Sequence, residues 1–121
     1  MEALVKEGLV RNIGLSNFSC GLIRDIMNYA QIKPTVLQVE MHPYGAHHNL
    51  LKFCRQKGIA CVAYSNLGAG SYLPLGLAQA SENCLEDKII TDLASTYKKS
   101  PAQIVLRWAL QRGTGIVPKS C

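Results

Sequence analysis

Four short polar runs, each following an apolar stretch, hold the side chains best suited to chemistry. They are Ser16-Asn17, Gln38, Tyr64-Ser65 with Leu67 and Ser71 close behind, and Lys119-Ser120. Hydroxyls and side-chain amides both donate and accept hydrogen bonds, a tyrosine ring offers a flat face, and a lysine beside a serine can make charge-assisted contacts to a phosphate. Read singly, the first three have plainer roles. Ser16-Asn17 reads as a helix cap, Gln38 can satisfy a neighbouring backbone group, and Tyr64 can be core. His42-Pro43-Tyr44 reads as a strand-ending turn, and His47-His48 as exposed loop residues without the convergent partners that a metal needs.

The elements that must position these runs follow from pattern. Leu4, Val5 and Leu9 suggest a short helix ended by Gly8. Leu22, Ile23, Ile26, Met27 and Ala30 form a helical stripe with Ser19 as N-cap and Pro34 beyond its end. Leu50, Leu51, Phe53 and Cys54 line a second helix stopped by Gly58. Ile89, Ile90, Leu93, Ala94 and Tyr97 line a third. Ser100-Pro101-Ala102-Gln103 opens a fourth, with proline at its first position and a capping box, and Gly113 ends it.

Strands are expected at Val10 to Leu15, Thr35 to Met41, Ile59 to Tyr64 and Gly115 to Pro118. The nearly unbroken apolar run of the third suggests a strand covered on both faces. The loop at 65–84 is long enough to suggest function. Strand centres at Ile13, Leu37, Cys61 and Ile116 stand 24, 24 and 55 residues apart, the rhythm of strand-helix units with one helix inserted. Alternation of this kind gives an α/β fold with a parallel sheet and right-handed crossovers. A doubly wound sheet would carry G-x-G-x-x-G after its first strand. The nearest run, Gly68-Ala69-Gly70-Ser71-Tyr72-Leu73, lacks the third glycine and follows the third strand, so part of an eight-fold barrel is preferred.

Composition bounds the function. The chain has 121 residues, 48% of them hydrophobic, which is enough for a core. Its net charge of +5 comes from scattered basic residues, so neither nucleic acid nor a membrane surface is an expected partner. Five cysteines without C-x-x-C spacing suggest reduced, buried thiols and a cytoplasmic setting. No run approaches the roughly 20 apolar residues of a membrane span, and no signal peptide is expected.

Taken in order, the strand ends read Gly14-Leu15-Ser16-Asn17-Phe18, Gln38-Val39-Glu40-Met41-His42-Pro43-Tyr44, Tyr64-Ser65-Asn66-Leu67-Gly68 and Val117-Pro118-Lys119-Ser120. This series resembles the aldo-keto reductases over essentially the whole chain. The stretch from Gln38 to Tyr44, Ser71, and Ser100 to Gln103 followed by Leu106-Arg107-Trp108 look most like the aldose and xylose reductase branch.

The resemblance implies a C-terminal portion of a (β/α)8 barrel, residues 1–121 supplying its fifth to eighth strands, that binds NADP(H). Ser16, Asn17 and Gln38 match the family's nicotinamide carboxamide contacts, and Tyr64 the ring that stacks on the nicotinamide. Ser65, Leu67 and Ser71 match the loop near the pyrophosphate, and Lys119 and Ser120 the pair that meets the 2′-phosphate. Asn66 and Ala69 depart from that loop's usual residues.

The family's catalytic Asp, Tyr, Lys and His come from its first four strands, so no catalytic residue is expected here, and the chain reads as a fragment inactive by itself. The whole enzyme would reduce a small carbonyl compound. A non-catalytic half-barrel used as a binding module and a phosphate-binding barrel of other chemistry are the alternatives. Four strands of eight also leave two open edges, and an interior face of Leu37, Val39, Cys61 and Val62 without opposing side chains. Self-association is therefore expected.

Overall fold

The structure is a computed structural model that describes residues 1–68 and 72–119. Its elements alternate as the pattern requires: α1 (Glu2–Lys6), β1 (Gly14–Ser16), α2 (Cys20–Tyr29), β2 (Val36–Glu40), α3 (His48–Gln56), β3 (Ala60–Tyr64), α4 (Lys88–Tyr97), α5 (Pro101–Gln111) and β4 (Gly115–Val117). The strands form one sheet in the order β1-β2-β3-β4, and β1 pairs with β2 in parallel. The chain divides into two compact units, Met1–Val39 with His47–Val62, and Glu40–Ala46 with Ala63–Cys121.

In the first unit, local signals set the helix ends. Ser19 caps α2 by accepting the Leu22 N–H, and α2 packs on α3. Glu2 reaches across sequence to accept the N–H groups of Gln31 and Ile32 at 2.8 and 3.0 Å, fixing the turn that leads into β2. These bonds hold the Glu2 carboxyl below its usual range, the Ile32 bond contributing most. Gly14 is required by space: a Cβ there would sit 2.8 Å from the Val36 carbonyl oxygen. The core is drawn from Ile23, Leu37, Val39, Leu51, Cys54, Ile59 and Cys61.

The strand at 60–64 is not covered on both faces: Cys61 and Ala63 are buried, Ala60 is exposed, and Val62 and Tyr64 are half-buried. An apolar run shows what a strand could bury, whereas what it does bury depends on the layer packed against it. Nor do Leu37, Val39, Cys61 and Val62 share an uncovered interior face. The first three are buried, and Val62 alternates to the other side, where Val36 is half-buried and Gln38 exposed. The open face is thus more polar than those four residues would make it.

In the second unit, Asp87 caps α4 through the Ile89 N–H at 2.8 Å, and Ser100 and Gln103 form the capping box of α5. The two helices pack together over Cys84, Ile90 and Val105, with Leu67, Leu85 and Ile104 against that cluster. The α4 stripe is narrower than expected, because Ile89 and Tyr97 are 70% and 65% exposed. Within the long loop the chain makes short 3₁₀ turns at Leu73–Leu75 and Ala80–Glu82, and another, Cys84–Glu86, begins at the loop's last residue. No helix among the described residues is long and apolar enough to cross a membrane.

Candidate nucleotide-binding site

In the first unit the sheet places two of the singled-out side chains together. Ser16 and Gln38 are register partners in the parallel β1–β2 pair, so their side chains leave the same face, and both are exposed. Asn17 follows at φ +58°, a left-handed position that asparagine tolerates, and its N–H donates to the Gln38 carbonyl at 2.9 Å. This turn ends β1 beside β2. The helix that follows is capped by Ser19, so the cap reading of Ser16-Asn17 falls away. A hydroxyl and a primary amide side by side offer donors and acceptors that could meet a planar carboxamide.

In the second unit, Tyr64 ends β3 half-buried, and its carbonyl accepts the Met41 N–H at 3.1 Å. The chain then turns sharply at Ser65, φ +49°, and the Ser65 hydroxyl lies 3.0 Å from the Tyr72 hydroxyl. Leu67 is anchored by packing against the Cys84 cluster, and its carbonyl accepts the Cys84 thiol at 3.4 Å. Gly68, at φ +71°, leaves no room for a side chain, since its Cβ would stand 3.0 Å from the Cys84 sulfur.

Ser65, Asn66, Tyr72 and Lys119 line one cleft of about 190 Å³ in this unit. Lys119 is exposed and is the only charged side chain lining the cleft among the described residues. Asn66 is 1% exposed; its amide N–H donates to the Met41 carbonyl at 3.4 Å, and its buried Oδ1 has no partner among the described residues. Such an orphaned acceptor is costly unless a water or ligand donor reaches it. One cation and two hydroxyl groups suit the phosphates of a nucleotide, whose oxygens accept hydrogen bonds. Ser71 and Ser120 lie outside the described residues.

A larger cleft of about 490 Å³ in the same unit is lined by Glu40, His42, Tyr44, Tyr72 and Glu82. His42 Nε2 lies 3.4 Å from Glu40 Oε1, and His42 bridges to Gly45 across a tight turn, as the structural reading of His42-Pro43-Tyr44 expected. Tyr44 donates to Asp87 Oδ2 at 2.8 Å, tying that turn to the N-terminus of α4. The phenol bond is the main reason the Asp87 carboxyl is held below its usual range. His47 and His48 are exposed, although His48 begins α3 rather than lying in a loop.

Sequence reasoning missed Tyr72 and Asp87. The first sits in an irregular loop whose path no periodicity reports. The second carried a readable signal, an aspartate immediately before an apolar helical stripe.

None of the four cysteines among the described residues lines either cleft. Cys20, Cys54, Cys61 and Cys84 are free thiols. Burial, reinforced by nearby Cys61, pushes the Cys54 thiol up to about 12, so it stays protonated and unreactive at neutral pH.

The profile of the aldo/keto reductase family matches residues 1–121. The chain belongs to that family. Among its relatives, a probable NAD(P)H-dependent D-xylose reductase of Emericella nidulans and an NAD(P)H-dependent D-xylose reductase of Pachysolen tannophilus are each 47% identical over 122 residues. Each match takes in 99% of this chain and 38% of the relative, so the chain spans well under half the length of these proteins. Among solved structures, the aldose reductase of Schistosoma japonicum superposes with a TM-score of 0.83 at 39% identity, covering 99% of this chain and 35% of that one.

Proposed function

We propose that residues 1–121 are the fifth to eighth strands of a (β/α)8 barrel and hold NADP(H) in a reductase of aldehydes, ketones or sugars. The observation that carries this reading is the pairing of Ser16 with Gln38 on the open face of β1 and β2. The cleft of Ser65, Asn66 and Lys119 supports it with chemistry suited to the phosphate-bearing part of the same molecule.

When bound, the nicotinamide would supply the hydride that reduces a carbonyl carbon. The residues of this chain do the holding. Ser16, Asn17 and Gln38 would orient the carboxamide, and Tyr64 would cover one ring face so that a single face meets the substrate. Ser65, Leu67 and Ser71 would follow the pyrophosphate, and Lys119 with Ser120 would meet the 2′-phosphate. The proton for the carbonyl oxygen would come from the family's first four strands, outside these 121 residues, so the chain alone is read as inactive.

The relatives' names point to NAD(P)H and D-xylose, and a small carbonyl compound is the substrate class proposed for the whole enzyme. A cytoplasmic setting fits the free thiols. The short outer strands β1 and β4 and the half-buried Val36, Val62 and Tyr64 favour self-association of the chain as it stands.

Gln38→Ala tests the carboxamide assignment. It should weaken NADPH binding about three- to tenfold, the worth of a lost hydrogen bond or two, and leave the binding of adenosine 2′,5′-bisphosphate unchanged. Equal losses for both ligands, or no loss for NADPH, would remove Gln38 from the nicotinamide site.

A further inference from the structure

We infer that Tyr72 is a positioning residue for bound phosphate: its hydroxyl donates to Ser65 and so leaves the Ser65 proton free for an anionic oxygen in the Lys119 cleft. The inference rests on the nucleotide-binding reading above and deepens it by adding a residue and a direction of hydrogen bonding.

The two hydroxyls lie 3.0 Å apart, and only one of them can donate to the other. A phenol is the stronger donor of the two hydroxyl types, so the favoured arrangement runs from Tyr72 to Ser65. Ser65 then accepts with a lone pair and keeps its own hydrogen to give away. Phosphate oxygens only accept, so a hydroxyl whose hydrogen is already spent cannot bind one, while a hydroxyl that is itself accepting binds more strongly through cooperativity.

The setting favours this use. Ser65 is held at φ +49°, and the next residues are anchored by Leu67 on its apolar cluster, so the serine does not depend on Tyr72 for its backbone position. Both hydroxyls line the cleft with Lys119, and no carboxylate lines it among the described residues. Tyr72 also lines the larger cleft beside His42 and Glu40.

The test is a double-mutant cycle on the whole chain with inorganic pyrophosphate as probe, followed by calorimetry, with NADPH titrated in parallel. Tyr72→Phe should weaken pyrophosphate binding about three- to tenfold. Ser65→Ala should do the same, and Tyr72→Phe should cost nothing further in the Ser65→Ala background. A merely structural role for Tyr72 would give the same loss with or without the Ser65 hydroxyl, and that result overturns the inference. So does wild-type binding of pyrophosphate by Tyr72→Phe, or failure of the unaltered chain to bind pyrophosphate. If NADPH still binds in those cases, the nucleotide-binding reading stands without this inference; if NADPH fails as well, both fall.

Discussion

Replacing Leu37 by alanine is expected to destabilise the chain by about 2–5 kcal/mol. Leu37 is fully buried at the centre of β2, and its register partner Leu15 lies beside it on the same face of the sheet. Removing its isopropyl group sacrifices both transfer free energy and the contacts around the cavity left behind. A domain's whole stability is only about 5–15 kcal/mol, so such a loss is a large part of it. The measurement is urea unfolding followed by circular dichroism, with Gln38→Ala as the neighbouring control on the exposed face. A midpoint unchanged in Leu37→Ala would contradict the assignment of Leu37 to the covered face.

That contrast between Leu37 and Gln38 marks how far the sequence could be read. Strand alternation placed Gln38 in a strand and next to chemistry, yet it could not show which face would be covered. Leu37, Val39 and Cys61 were expected on an open interior, and all three are buried. Local signals fared better because their partners are three residues away: Ser19 bonds Leu22, Ser100 and Gln103 cap each other, and Gly8, Gly58 and Gly113 all take positive φ.

Bonds between distant residues left no such trace. Tyr44 meets Asp87 across 43 positions, and Glu2 meets Gln31 and Ile32 across about thirty. The α4 stripe of five apolar residues correctly gave the helix but not its boundary of burial. Periodicity tells which side chains share a side, while the neighbour's width decides that Ile90 and Ala94 are covered and Ile89 is not.

Lys119→Ala is expected to reduce the preference for NADPH over NADH by about 1–3 kcal/mol, with the change carried by weaker NADPH binding. Lys119 is the only cation lining its cleft among the described residues, so a 2′-phosphate there has no other charged partner among them. NADH lacks that phosphate and should lose little. Because Lys119 is exposed, salt should shrink the difference, and the effect is best read at low ionic strength. Arginine at this position should retain most of the preference, since the positive charge is kept. An equal loss for both cofactors would instead place Lys119 at the pyrophosphate or outside the site.

The central claim is that this chain carries a site for NADP(H), and titration of the unaltered chain with NADPH and NADH in separate calorimetric experiments tests it most directly. The account predicts saturable binding of NADPH, tighter than that of NADH, with one site per chain. Failure of NADPH to bind a folded chain, or indistinguishable curves for the two cofactors, would contradict it.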